Sequence, residues 1–288
     1  MSVIRLDGIV KIFGGLRAIG GVSFAVEPQQ IFGLIGPNGA GKTTIFNVVT
    51  GVYKPDGGKV VFDGTDISGW GSARVASRGI ARTFQNIRLF RAMTVRENVI
   101  VAAHKIHRAN MLDAVLRNGR FDADESGFKR KADELLEIMG LRELADEEAG
   151  SLPYGSQRRL EIARALMLDP KVLLLDEPAA GMNSSEADKL EDQIRFLRDD
   201  LKLTIVLVEH NMSVVMSVCE RIHVVDHGET IAEGPPSAIK EDPKVLAAYL
   251  GEETPEAAMA DLRAVNDAAD KSAADAAAPP HARDGGAE

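Results

Sequence analysis

Apolar and polar positions alternate along the first part of the chain. Ile4, Leu6, Val22, Phe24 and Val26 are separated by polar or small residues, the pattern of half-buried strands, with interruptions at Gly14-Gly15 and Gly20-Gly21. Glu27-Pro28-Gln29 is a turn into the short apolar run Ile31-Phe32-Gly33-Leu34-Ile35, which reads as a buried strand. A second turn, Lys54-Pro55-Asp56-Gly57-Gly58, leads into a strand over Lys59-Val60-Val61-Phe62 that ends at Asp63-Gly64. Further on, Val172 to Leu175 and Thr204 to Val208 are unbroken apolar runs, as expected of strands buried on both faces. A strand-turn-strand unit from Ile222 to Ala232 turns at His227-Gly228.

Between these runs the period lengthens to that of a helix. Thr94 with Glu97 forms a capping box for a helix through Asn98 to His104, and Asn183 with Glu186 caps one reaching about Asp199. Ala132, Leu135, Leu136 and Met139 share one helix face, as do Leu160, Ala163, Leu166 and Met167 before a stop at Asp169-Pro170. Met212, Val215, Met216 and Cys219 form a further apolar stripe, in which Cys219 is expected in the core. From Lys105 to Phe128, breaks at Asn118-Gly119 and Ser126-Gly127 predict short helices and loops. Buried strands alternating with helices give an α/β class, flanked by a mostly antiparallel β-layer and interrupted by a helical insertion.

The turn after Ile35 reads Gly36-Pro37-Asn38-Gly39-Ala40-Gly41-Lys42-Thr43-Thr44, and a helix is expected from Ile45. Strand, glycine-rich turn and a helix opening on Gly-Lys-Thr are the setting of a phosphate-binding loop. Its glycines let backbone N–H groups face a polyphosphate, and the helix N-terminus adds partial positive charge. Lys42 would reach the β- and γ-phosphates and the Thr43 hydroxyl would ligate Mg²⁺, with Thr44 near the α-phosphate. The sequence therefore predicts binding of a nucleoside triphosphate.

Composition narrows this little. The 288 residues are 45% apolar and 27% charged, an ordinary globular balance. Aromatics at 5% and a net charge of −9 argue against a nucleic-acid platform. The lone Cys219 leaves no partner for an intrachain disulfide and fits a reducing compartment. No apolar run approaches the ~18 residues of a membrane span, and no signal region is expected at the N-terminus. Any work at a membrane would go through a partner.

Leu173-Leu174-Leu175-Asp176-Glu177-Pro178 is the second constellation: a buried strand ending in two carboxylates. Asp176 there would stand beside Mg²⁺, and Glu177 would face the water attacking the γ-phosphate. With His210 after the next strand and Phe84-Gln85 after the β-layer, the set resembles the ATPases of the ABC family. That resemblance implies an ABC-type nucleotide-binding core with an antiparallel β-subdomain and an inserted α-helical subdomain. It implies that Glu177 polarises the water, that His210 contacts the γ-phosphate and holds the geometry, and that Gln85 senses Mg²⁺ and the membrane partner. It implies adenine stacking on Phe13. The family's signature loop, Leu-Ser-Gly-Gly-Gln, corresponds to Leu152-Pro153-Tyr154-Gly155-Ser156, where Pro153 and Ser156 depart from it. Asn183 replaces the usual aspartate of the loop after the glutamate.

Phe13-Gly14-Gly15-Leu16, Ala81 to Phe90, Arg158 to Arg164 and Ile231-Ala232-Glu233-Gly234-Pro235 further resemble the ATP-binding subunit of branched-chain amino acid importers. The resemblance implies ATP and Mg²⁺ as ligands, a second ABC ATPase subunit (identical or related), two membrane permeases and, indirectly, a periplasmic solute-binding protein. It implies a place on the cytoplasmic face of the inner membrane, and the net charge of −9 argues against nucleic acid as a partner. Alternatives left open are import of amides, urea or another solute, export of lipid or polysaccharide, and a soluble non-transport ATPase. The expected organisation is an ATPase domain over 1–251, with core and β-layer at about 1–84 and 161–251 and a helical subdomain at about 85–160. An Ala-, Asp-, Glu- and Pro-rich tail over 252–288 is expected to be disordered.

Overall fold

The computed structural model describes residues 2–103 and 119–250. The expectations for the tail, for His104 and for residues 105–118 of the Lys105–Phe128 segment lie outside them. Two sheets are built from ten strands among the described residues. β1 (Ile4–Phe13), β2 (Leu16–Val26), β4 (Gly57–Phe62) and β5 (Thr65–Asp66) form an antiparallel layer in the order β2-β1-β4-β5. The larger sheet has the order β10-β9-β3-β8-β7-β6, from β3 (Ile31–Ile35), β6 (Ile80–Arg82), β7 (Val172–Asp176), β8 (Thr204–Val208), β9 (Arg221–Asp226) and β10 (Glu229–Gly234). Its pairs are parallel except β9–β10.

The apolar runs are continuous because both faces of this sheet are covered. Phe32, Leu34, Val172, Leu174, Val206 and Val208 point into a core shared with the β-layer and α1 (Lys42–Val49). Their alternates Ile31, Ile35, Leu173, Leu175, Ile205 and Leu207 point into a second core. Helices α3 (Val95–Ala103), α4 (Gly119–Ile138), α5 (Tyr154–Leu166), α6 (Ser184–Asp199) and α7 (Met212–Val218) supply the other side of that core. Fully burying one such Leu or Ile contributes about 1.5–3 kcal/mol. Short helices α2 (Ser72–Arg78), α8 (Pro236–Glu241) and α9 (Pro243–Leu250) complete the described chain.

Both capping boxes form. Thr94 Oγ1 accepts from the Glu97 amide at 3.1 Å while the Glu97 carboxylate accepts from the Thr94 amide at 2.8 Å. Asn183 and Glu186 exchange the same pair of bonds, so the asparagine that replaces aspartate still caps α6. One expectation fails: α4 runs unbroken through Ser126-Gly127. A mid-helix glycine costs only about 1 kcal/mol, less than the burial of Ala132, Leu135, Leu136 and Met139 returns. The strand expected from Lys59 starts earlier, at Gly57, where Gly57 pairs with Val10 of β1. Among the described residues no helix is long and apolar enough to cross a membrane.

Candidate nucleotide-hydrolysis site

The C-terminal ends of β3, β6, β7 and β8 bring the predicted residues to one edge of the sheet. After β3 the chain turns through Gly36–Thr44 into α1. Gly36 has φ +151°, and a Cβ there would lie 1.9 Å from the Val225 carbonyl oxygen. Gly41, at φ +104°, caps α1, and a Cβ would lie 2.6 Å from Ile19 Cδ1. The loop is therefore pressed against β9 and the β-layer where no side chain fits, which leaves its backbone to line the turn. Lys42 is buried, its Nζ donating to the Gly36 and Pro37 carbonyls at 2.5 and 2.7 Å. Pro37 and Ala40 are buried, Asn38, Gly39 and Thr43 are exposed, and Thr44 is half-buried. A concave backbone at a helix N-terminus with a lysine across it fits a polyphosphate.

Asp176 ends β7, 1% exposed, and its Oδ1 is buried without a hydrogen-bond partner. A buried carboxylate oxygen at this edge fits a hydrated divalent cation, since leaving it unmet is costly. Glu177 follows with φ +50°, a left-handed conformation unusual for a non-glycine residue. Its amide donates to the Val208 carbonyl at 2.8 Å, which holds the strained residue against β8. Its two carboxylate oxygens are separately engaged. Gln85 Nε2 donates to Oε2 at 2.9 Å, and His210 Nε2 lies 2.7 Å from Oε1. Residues 85, 177 and 210 thus meet on one carboxylate. In this conformation Gln85 and His210 touch Glu177 itself.

Glu209, a residue that sequence reasoning passed over, holds two loops together. It is buried; its Oε1 accepts from the Ala179 amide at 2.6 Å and its Oε2 from the His210 amide at 2.9 Å. Burial pushes its pKa up, opposed by these backbone N–H bonds. Another missed group grips the Gln85 loop from α5. Arg158, 3% exposed, donates to the Phe84 carbonyl at 2.7 Å and to the Gln85 carbonyl. Glu161, 2% exposed, accepts from the Phe84 amide at 3.3 Å, and Arg164 donates to the Arg88 carbonyl. Burial raises the Glu161 pKa, with Arg164 and Arg158 among the groups opposing it. The sequence marks the Arg158–Arg164 stretch only by its resemblance to importer subunits, with no role given to its charges.

Leu152–Ser156 opens α5. Leu152, Gly155 and Ser156 are buried, whereas Pro153 and Tyr154 are exposed. Gln157 folds back, donating to the Leu152 carbonyl at 2.8 Å, and Arg159 donates to Ser156 Oγ at 3.0 Å. Neither polar side chain stands free above the loop. Phe13 lies at the tip of β1, 39% exposed, edge-on to Tyr53 with centroids 5.1 Å apart. It is a surface ring and not part of the core. Cys219 is buried as expected, and burial pushes its thiol up to about 12.

Known proteins show the same organisation. The family pattern described as "ABC transporter" matches residues 19–180, and that of "Branched-chain amino acid ATP-binding cassette transporter" matches residues 229–255. The high-affinity branched-chain amino acid transport ATP-binding protein BraF of Pseudomonas aeruginosa is 45% identical over 250 residues, 87% of this chain and 98% of BraF. The crystal structure of the ADP conformation of MJ1267, an ATP-binding cassette of an ABC transporter, superposes with a TM-score of 0.75. It is 33% identical and covers 87% of this chain and 99% of its own. A dimeric bacterial ABC transporter cassette, MJ0796, matches at 26% identity and TM-score 0.69, over 81% of this chain and 98% of its own. The chain belongs to the ABC transporter family, as one of its ATP-binding, ATP-hydrolysing cassettes.

Proposed function

We propose that this chain energises uptake of branched-chain amino acids, acting as one of two cassettes beneath a pair of membrane permeases. The observation that carries the catalytic part is the Glu177 carboxylate, held on one oxygen by Gln85 and on the other by His210. A carboxylate fixed in this way is oriented to take a proton from a water attacking the γ-phosphate. His210 Nε2 fixes its angle, and Gln85 makes that angle depend on the position of its loop. The loop 36–44 binds the phosphates, with Lys42 on the β- and γ-phosphates and Thr44 by the α-phosphate. Thr43, Asp176 and Gln85 are the residues that would hold Mg²⁺, which would neutralise phosphate charge when bound. Phe13, exposed at the tip of β1, is the ring offered to adenine.

Residues 152–156 start a helix and are assigned to the nucleotide of a second cassette, in keeping with the dimeric relative. The cargo assignment rests on BraF and on the match at 229–255. The absence of an apolar span among the described helices fits attachment through permeases at the cytoplasmic face of the inner membrane. The ATPase domain is taken to extend to about residue 251.

The test is ATPase activity of the chain reconstituted with its co-purified permeases in liposomes, with solute-binding protein added. Stimulation by binding protein loaded with Leu, Ile or Val supports the proposal. Stimulation by amides, urea or another solute instead would keep an importer and discard this cargo. No stimulation by any loaded binding protein would overturn the importer.

A further inference from the structure

Arg82, the last residue of β6, is a buried charge that the roles above do not use. Its side chain is 7% exposed. Nη2 donates to Asp176 Oδ2 at 2.6 Å and Nη1 to Asn47 Oδ1 at 2.6 Å. The guanidinium carbon sits 5.4 Å from the Phe46 ring centroid and 5.3 Å from that of Phe84. Its Nε finds no partner, so two fork nitrogens carry its polar contacts. Asp176 is further fixed by its own amide, which donates to Thr83 Oγ1 at 3.2 Å.

The arrangement divides the carboxylate. Oδ2 is taken by Arg82, whereas Oδ1 is buried and unpartnered. The Asp176 side chain is 1% exposed, and the Arg82 guanidinium is the cation placed against it at hydrogen-bond distance. A planar fork can hold two acceptors on different elements at once, which a lysine ammonium does with less geometric definition. Here the acceptors belong to β7 and to α1, the helix that begins at Lys42.

We infer that Arg82 is a positioning residue for the divalent cation. It fixes Asp176 through Oδ2, leaves Oδ1 as the oxygen available to the hydrated cation, and through Asn47 ties that carboxylate to the phosphate-loop helix. The inference rests on Asp176 being a cation-site carboxylate. Groups that orient a metal-site ligand typically change metal affinity about 10–100-fold when removed.

The test titrates Mg²⁺ into the full-length chain with a fluorescent ATP analogue bound, and measures analogue affinity separately in EDTA. Arg82→Ala should raise the Mg²⁺ midpoint about tenfold while the metal-free affinity stays within about threefold of the parent. Asn47→Ala should shift the midpoint the same way by about two- to threefold. Should Arg82→Ala lose its cooperative melt, Arg82→Lys carries the test, with an intermediate midpoint expected. An unchanged midpoint would overturn the inference, and a lowered one would show that Arg82 competes with the cation. Asp176→Asn separates the two levels: a midpoint unmoved in that variant removes the cation role of Asp176, and the inference with it. A shift in Asp176→Asn without one in the Arg82 variants defeats the inference alone.

Discussion

Two loops at the same sheet edge are built in opposite ways. The 36–44 loop is held largely through its backbone: positive-φ glycines at Gly36, Gly39 and Gly41, the first and last packed against β9 and β2, and a lysine bonded to carbonyls of that same loop. The loop around Gln85 is held from outside, by Arg158, Glu161 and Arg164 of α5. The Gln85 loop is thereby tied to α5, whose N-terminus carries residues 154–156. Gln85 bonds directly to Glu177, so α5 is linked to that carboxylate through a single side chain. Under the function proposed, one site joins a phosphate cradle to a catalytic group linked to the helical region, a division suited to coupling hydrolysis to a partner's motion.

This contrast can be broken from either side. Lys42→Ala should act on the phosphate cradle and weaken ATP affinity about 10–100-fold, the worth of a charge-assisted contact to phosphate. Titration calorimetry checks it, and unchanged affinity would contradict the assignment of the loop. Arg158→Lys keeps a cation beside Glu161 but loses the fork on residues 84 and 85. We expect hydrolysis to slow about fivefold, the worth of roughly one hydrogen bond, with ATP affinity within about twofold of the parent. Equal losses in binding and hydrolysis would mean that the two loops are not separable.

A smaller effect concerns the sheet on which both loops stand. His223 of β9 is fully buried against Phe24 and Phe32, with Nδ1 2.8 Å from Glu233 Oε2 and Nε2 3.0 Å from Thr230 Oγ1. Burial lowers its pKa below the ordinary 6.5, against the pull of Glu233. Unfolding at a pH between the folded value and 6.5 therefore takes up a proton. The stabilisation is fully present above 6.5 and is lost as pH falls through the lower folded value. Glu161 and Glu209, whose pKa values are raised, act in the opposite sense, with stability draining as pH rises above 4.5. Urea melts between about pH 5.5 and 7.5 should show the parent losing stability relative to His223→Gln as pH falls below 6.5, by at most about 1.4 kcal/mol per pH unit. Parallel curves would remove His223 as the titrating group.

The sequence was most informative where structure is local. The runs that form β3, β7 and β8, the two capping boxes and the loop from Gly36 to Thr44 are encoded in adjacent residues. The strand-end residues Asp176, Glu177 and His210, and Gln85, were legible because the resemblance to ABC ATPases gave them meaning as a set. Short β6 and helices α2, α8 and α9 were not read, since three to eight residues carry too little periodicity. Arg82, Glu209, Arg158 and Glu161 were missed for another reason. Each is a charge whose burial is decided by a partner distant in sequence, as Arg82 and Asp176 are, 94 residues apart. The Ser126-Gly127 break failed because packing of the α4 face outweighed the propensity of one glycine.

The central claim is that Glu177 is the group that drives hydrolysis, not binding. It is tested most directly by measuring ATP turnover and ATP affinity on one preparation of Glu177→Gln beside the parent. The account predicts affinity unchanged and turnover reduced about 10²–10⁴-fold, the usual worth of a positioned general base. Turnover comparable to that of the parent would contradict it.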